Sequence, residues 1–201
     1  MTAFAITIPS EWSELDVRPN TRDASITALV AKRINENPEL RPLRADLTRY
    51  LRTTARQAWD AGARYCACFA IPADGALIPG SVTVSSLPRP PRTPGADAEA
   101  AIITQIQSIK DTETTPDTPL TLSTAVLPKA GPAPRLTGIR DMLIDRDLTI
   151  VRSLIMQTFV PADDQIALIS CASPALDLAD PLTELFDTVT ATFELTETAD
   201  A

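Results

Sequence analysis

The chain has 201 residues, 44% hydrophobic, 22% charged and only 4% aromatic, a balance that builds a single soluble globular domain and excludes a disordered chain. It contains no histidine, so Ser-His-Asp and Cys-His nucleophile systems, histidine zinc sites and histidine acid/base catalysis are excluded within one chain. The formal charge of -8 argues against a nucleic-acid backbone binder, which needs a cationic footprint to displace counterions.

Phe4 to Ile8 alternates apolar with Ala and Thr, the period of a half-buried strand, and Pro9 stops it. Trp12 follows and is expected to fold over a sheet edge as a core plug. Thr21 or Asp23 can cap a helix through Ile26, Leu29, Val30 and Ile34, which Asn37-Pro38 ends. The next helix is the most legible element. Starting near Pro42, it aligns Leu43, Leu47, Tyr50, Leu51, Thr54 and Ala58 on one face, and Gly62 supplies a left-handed stop. Arg41, Arg52 and Arg56 fall on the opposite face, flanked by Arg44 and Arg49, with Trp59 in the same stripe. These four residues, Arg41, Arg52, Arg56 and Trp59, are the candidate binding surface, the alternative being a solvated arginine face with Trp59 covered by another segment.

Tyr65 to Ile71 reads as a strand with Tyr65, Ala67, Phe69 and Ile71 on one face and the small Cys66, Cys68 and Ala70 on the other, a surface that accepts a closely packed helix. Ala76 to Leu87 is its expected partner, and Leu87 to Gly95, with Pro88-x-x-Pro91, reads as an extended connector. A helix is expected over Ala96 to Lys110 with Ala101, Ile102, Ile106 and Ile109 inward. Strands are expected over Leu120–Leu127, Arg135–Ile144, Leu148–Phe159 and Gln165–Cys171, with turns at Gly131-Pro132 and Asp145-Arg146-Asp147. Pro181 opens a last helix through Leu182, Leu185, Phe186 and Val189, after which Ala191 to Leu195 runs toward a frayed acidic end. Adjacent strands without crossover helices give an α+β fold: an antiparallel β-sheet of about six strands packed with helices. Residues 1–196 are expected to form one domain and 197–201 a disordered acidic terminus.

Charge is unevenly spread. Residues 161–201 carry nine acids and no Lys or Arg, whereas the other 160 residues carry 18 basic against 17 acidic groups. Cys66, Cys68 and Cys171 are odd in number and two of them point the same way from one strand, so reduced structural thiols in a cytoplasmic protein are expected over a disulfide or a three-cysteine metal site. The six glycines never form a phosphate-cradling motif, and no apolar run is long enough for a signal peptide or a membrane span. Asp141, Asp145 and Asp147, and separately Asp163 with Asp164, are spaced for a hard cation but sit where turn acids are ordinary. Glu11 and Glu14 flank Trp12 without the aromatic platform that sugar chemistry needs. No cofactor and no enzyme activity are expected.

Phe4-Ala-Ile-Thr-Ile-Pro-Ser-Glu-Trp12, the strand ending Met156-Gln-Thr-Phe-Val-Pro161, Ile166-Ala-Leu-Ile-Ser-Cys-Ala-Ser-Pro174 and Leu185-Phe-Asp-Thr-Val-Thr-Ala-Thr-Phe193 together resemble the Mog1/PsbP-like fold, which includes DcrB-type and LpqN-type proteins. The chain also resembles uncharacterised actinobacterial proteins of this length. It departs from the family in the paired helices at 22–61, and no lipoprotein or transit signal is expected. The resemblance implies a sandwich fold and a non-catalytic binding or assembly module, and transfers no catalytic residue. The expected function is therefore a cytosolic protein-binding or chaperone-like accessory module, of the kind that serves a larger assembly or secretion system. The alternative is a small-molecule binder or thiol-dependent protein with a helix–sheet pocket near Cys66 and Cys68.

Overall fold

The computed structural model describes residues 3–73, 76–89, 98–113, 118–143, 150–162 and 165–196. Pro91, the Asp145-Arg146-Asp147 turn, Asp163, Asp164 and the terminus 197–201, all singled out in the sequence, lie outside the described residues. In chain order the elements are β1 (Ala3–Ala5), β2 (Ser13–Glu14), α1 (Arg22–Glu36), α2 (Arg44–Asp60), β3 (Ala63–Ala73), β4 (Ala76–Pro88) and α3 (Ala98–Glu113), then β5 (Leu120–Leu127), β6 (Gly131–Leu143), β7 (Ile150–Pro161), β8 (Gln165–Ser173), α4 (Ala179–Ala191) and β9 (Glu194–Thr196). Short 3-10 helices at Pro38–Leu40 and Leu176–Leu178 lead into α2 and α4.

The fold is α+β. Seven strands form one sheet in the order β2-β3-β4-β8-β7-β6-β5, antiparallel throughout, and β1 with β9 forms a separate two-stranded ribbon. The expected antiparallel sheet is the observed one, with one strand more than the six expected and with the N-terminal strand placed in the ribbon. The two residues of β2 are too few to show a period. The Phe4–Ile8 alternation yields only the three-residue β1, which joins β9 and not the main sheet, and β9 forms from the end of the Ala191 to Leu195 stretch that follows α4. Such short strands are held by side chains: Phe4 lies opposite Leu195 and stacks on Phe193 with ring centroids 5.7 Å apart.

Strand alternation divides the sheet into two faces. Ala67, Val82, Cys171 and Met156 lie in one cross-strand row, and that face packs Val84 and Ile169 against Leu182, Phe186 and Val189 of α4 and against Phe193. The next row, Cys66, Thr83, Ser170, Gln157 and Leu136, belongs to the opposite face. There two helical packets sit apart. Ile26 and Val30 of α1 and Leu47, Leu51, Ala55 and Ala58 of α2 close on Cys66 and Cys68, while Ile102 and Ile106 of α3 close on Leu136, Phe159 and Ile166. The expected inward faces of α1 and α2 are observed except at Leu43, which precedes α2 and stays half-buried, and α3 turns Ile102, Ile106 and Ile109 inward as expected, while the side chain of Ala101 lies outside the described residues. Each buried Leu contributes roughly 1.5–3 kcal/mol.

Local signals are partly displaced by tertiary partners. Thr21 precedes α1 as expected, but its Oγ1 donates to Asp16 Oδ2 at 2.5 Å and makes no cap bond. Asn37 ends α1, and its side-chain oxygen accepts from the Glu39 amide at 3.2 Å. Gly62 stops α2 with φ of +74°, as its position predicts. The β5–β6 turn falls on residues 128–130, one step before the expected Gly131-Pro132, which open β6. Trp12 is buried at the β2 edge, 4.9 Å from Phe69 by ring centroids.

Candidate functional site

Four arginines on the solvent side of α2 are joined by Arg41, which lies before the helix, at the end of the 3-10 turn Pro38–Leu40. Because Leu47, Leu51, Thr54 and Ala58 hold one face of the helix on the sheet, residues a half-turn away must face water, and that side is where arginines recur. Arg41, Arg44, Arg49, Arg52 and Arg56 line an open groove of about 680 Å3. Its floor is made of the small residues Ala45, Thr48 and Thr53, which leave space between the long side chains. The structure thus brings together Arg41, Arg52 and Arg56 and adds the two flanking arginines.

The groove is only partly neutralised. Arg52 Nε lies 3.6 Å from Asp23 on α1, and Arg49 Nη1 lies 3.4 Å from Asp46 one turn earlier. Among the described residues, Arg41, Arg44 and Arg56 have no acidic partner within 4 Å. Trp59 is 41% exposed and continues the stripe, but it lies beyond the groove lining, which ends at Arg56. Planar guanidinium groups without internal partners can bind carboxylates in paired, charge-assisted geometry.

The cysteines divide between the faces: Cys66 and Cys68 lie under α1 and α2, Cys171 under α4. All three are free and buried. Burial pushes the Cys66 and Cys171 thiols up to about 12 and the Cys68 thiol higher still. The space beside Cys68, lined also by Arg33, Leu47 and Leu51, is about 20 Å3 and holds one water at most, so the expected helix–sheet pocket is too small for a ligand. Among the described residues no three Cys, Asp or Glu are grouped to hold a metal. Asp141 is instead gripped by Arg152 across β6 and β7, at 2.9 and 3.2 Å, which lowers its carboxyl pKa. Glu14 accepts from the Tyr65 hydroxyl at 3.2 Å and Glu11 from Ser10 at 3.0 Å, so the two carboxylates have separate partners.

A site that the sequence did not disclose lies between the β1–β9 ribbon and the sheet. Phe4, Leu195, Val84 and Ala167 form an apolar cavity of about 380 Å3, with Arg64, Ser86 and Gln165 as polar members of its lining. Ser86 Oγ donates to Gln165 Oε1 across β4 and β8. The alternation at Phe4 was the one local hint. Its partner Leu195 carried none.

No model of a known protein family matches the chain, and no curated protein sequence matches it. Among solved structures, the chain is similar to LpqN of Mycobacterium tuberculosis, a protein involved in cell envelope biogenesis, with a TM-score of 0.51 and 10% identity, over 98% of this chain and 85% of that one. It also matches PA94, a protein of unknown function from Pseudomonas aeruginosa, with a TM-score of 0.41 and 12% identity, over 68% of this chain and 83% of that one. None of the described helices is long and apolar enough to cross a membrane. At this identity the likeness concerns architecture alone, and the chain has the α+β fold of the LpqN type.

Proposed function

We propose that the chain is a non-enzymatic cytosolic binding module that holds an acidic segment of a partner protein in the arginine groove of α2, as an accessory or assembly factor. The observation that carries this reading is the convergence of five arginines on one groove, three of them without an acidic partner among the described residues. An acidic peptide suits it better than nucleic acid, because the chain as a whole carries a formal charge of -8. Buried free thiols suit a reducing compartment. The test is titration of a labelled oligoglutamate peptide into the native protein and into a triple variant, Arg41→Ser, Arg52→Ser and Arg56→Ser. Binding that weakens at least about tenfold in the variant, at unchanged melting temperature, supports the reading, since exposed charges contribute under about 1 kcal/mol to stability. Equal binding by both proteins, or none by either, overturns it.

The ribbon cavity favours a second reading, a small-molecule binder, at a place other than Cys66 and Cys68. Its 380 Å3 and its apolar lining with a few polar groups match a site for a compact apolar molecule with a polar end toward Arg64. An apolar fluorophore that binds the native protein and is lost on Ala167→Phe supports this reading, whereas retention by the filled variant counts against it.

A further inference from the structure

We infer that β5 is an interface strand, and that two copies of this chain pair through it, edge to edge and antiparallel, as a closed dimer. β5 is the outer strand of the seven-stranded sheet, and among the described residues no strand pairs with its free side. Its sequence, Leu-Thr-Leu-Ser-Thr-Ala-Val-Leu, contains no charge, proline or glycine. Charges and prolines are the usual residues by which an exposed edge is kept from pairing.

The prolines of β6 settle which way the β5 backbone points. Pro132 lies opposite Val126 and Pro134 opposite Thr124. A hydrogen-bonded antiparallel pair needs an N–H from both residues, and proline has none, so these are non-hydrogen-bonded pairs. Alternation then directs the N–H and C=O groups of Leu120, Leu122, Thr124 and Val126 outward, away from β6. Four such residues in a row, hydrated in a lone copy, form a ready template for a further strand.

Self-pairing fits this edge. A two-fold axis through Ser123, perpendicular to the sheet, sets Leu120 opposite Val126 and Leu122 opposite Thr124, and repeats both pairs by symmetry, so every outward residue finds a partner. It also explains an exposed side chain. Val126 is 77% exposed, and this register sets it opposite the second copy's Leu120, on the sheet face that carries the half-exposed Ile103 of α3. The other edge of the sheet, β2, is only two residues long, so head-to-tail growth has no strand to add to and the assembly closes at two.

Sedimentation of the full chain from low to high micromolar concentration tests the inference. The expected result is a species of twice the monomer mass, which falls to monomer mass in Thr124→Pro and in Val126→Lys. Thr124→Pro removes an outward N–H and spares the bonds to β6. Val126→Lys keeps the backbone and adds a charge to the edge, so it decides the matter if the proline variant loses its native circular dichroism. A native chain that stays monomeric throughout, or a dimer that survives Val126→Lys in a folded protein, overturns the inference.

Discussion

The ring of Phe69 occupies the place where a side chain on Gly80 would begin. A Cβ built on Gly80 meets two ring carbons of Phe69 at 2.3 Å, and the two residues are directly paired across β3 and β4. Phe69 in turn packs on Trp12, and the Gly80 carbonyl accepts from the Tyr50 hydroxyl of α2 at 2.8 Å. One glycine therefore joins the cores of both faces. Gly80→Ala is expected to destabilise by roughly 1–3 kcal/mol through overpacking. Urea denaturation measures the loss, and in a Trp59→Phe background the Trp12 emission shifts as its contact with Phe69 is disturbed.

Arg135 ties β6 to α4. Only 8% exposed, it donates from Nε to Thr158 at 2.9 Å and from Nη1 to Asp187 at 2.5 Å, while its Nη2 has no hydrogen-bond partner. Asp187 is the solvated member of the pair, so its own loss is screened, but the guanidinium left behind is buried. Asp187→Ala is expected to cost about 1–3 kcal/mol. The same denaturation experiment on Glu36→Ala, which removes the exposed Lys32–Glu36 pair, should show less than about 0.5 kcal/mol.

Leu47 is buried where α2 meets α1 and the small face of β3. Leu47→Ala is expected to destabilise by roughly 2–5 kcal/mol, read from the thermal midpoint and a denaturant series. An unchanged midpoint would contradict the helix assignment.

The buried thiols predict alkaline sensitivity. Burial raises Cys66 and Cys171 to about 12 in the folded protein, against about 8.5 for an exposed thiol. Their contribution to stability is thus complete below about pH 8.5 and is lost as pH rises toward 12, because the unfolded chain releases its thiol protons first. Unfolding free energy measured between pH 9 and 11, a window set by those values, should fall with pH, and Cys66→Ala should flatten the slope by about 1.4 kcal/mol per pH unit. A thiol reagent near neutral pH should modify the native protein only after denaturant is added.

Periodicity and residue type encode the local half of this architecture. The apolar face of α2, the small Cys66 and Cys68 face of β3, the burial of Trp12, the stop at Gly62 and the arginine stripe all follow from spacing within one element. The exclusion of histidine chemistry follows from composition alone. Tertiary structure decided which distant segments cover those faces. Thr7 and Thr192, bonded at 2.8 Å, are 185 residues apart, and the β1–β9 ribbon beside them creates the apolar cavity with Phe4 and Leu195. Likewise Asp187 reads as a solvated helix acid until α4 docks over β6, and β5 reads as an ordinary strand until the sheet order leaves it outermost. The physical reason is that alternation states that a face must be buried without naming what buries it, since that is settled by chain closure over long separations, which leaves no mark on neighbouring residues.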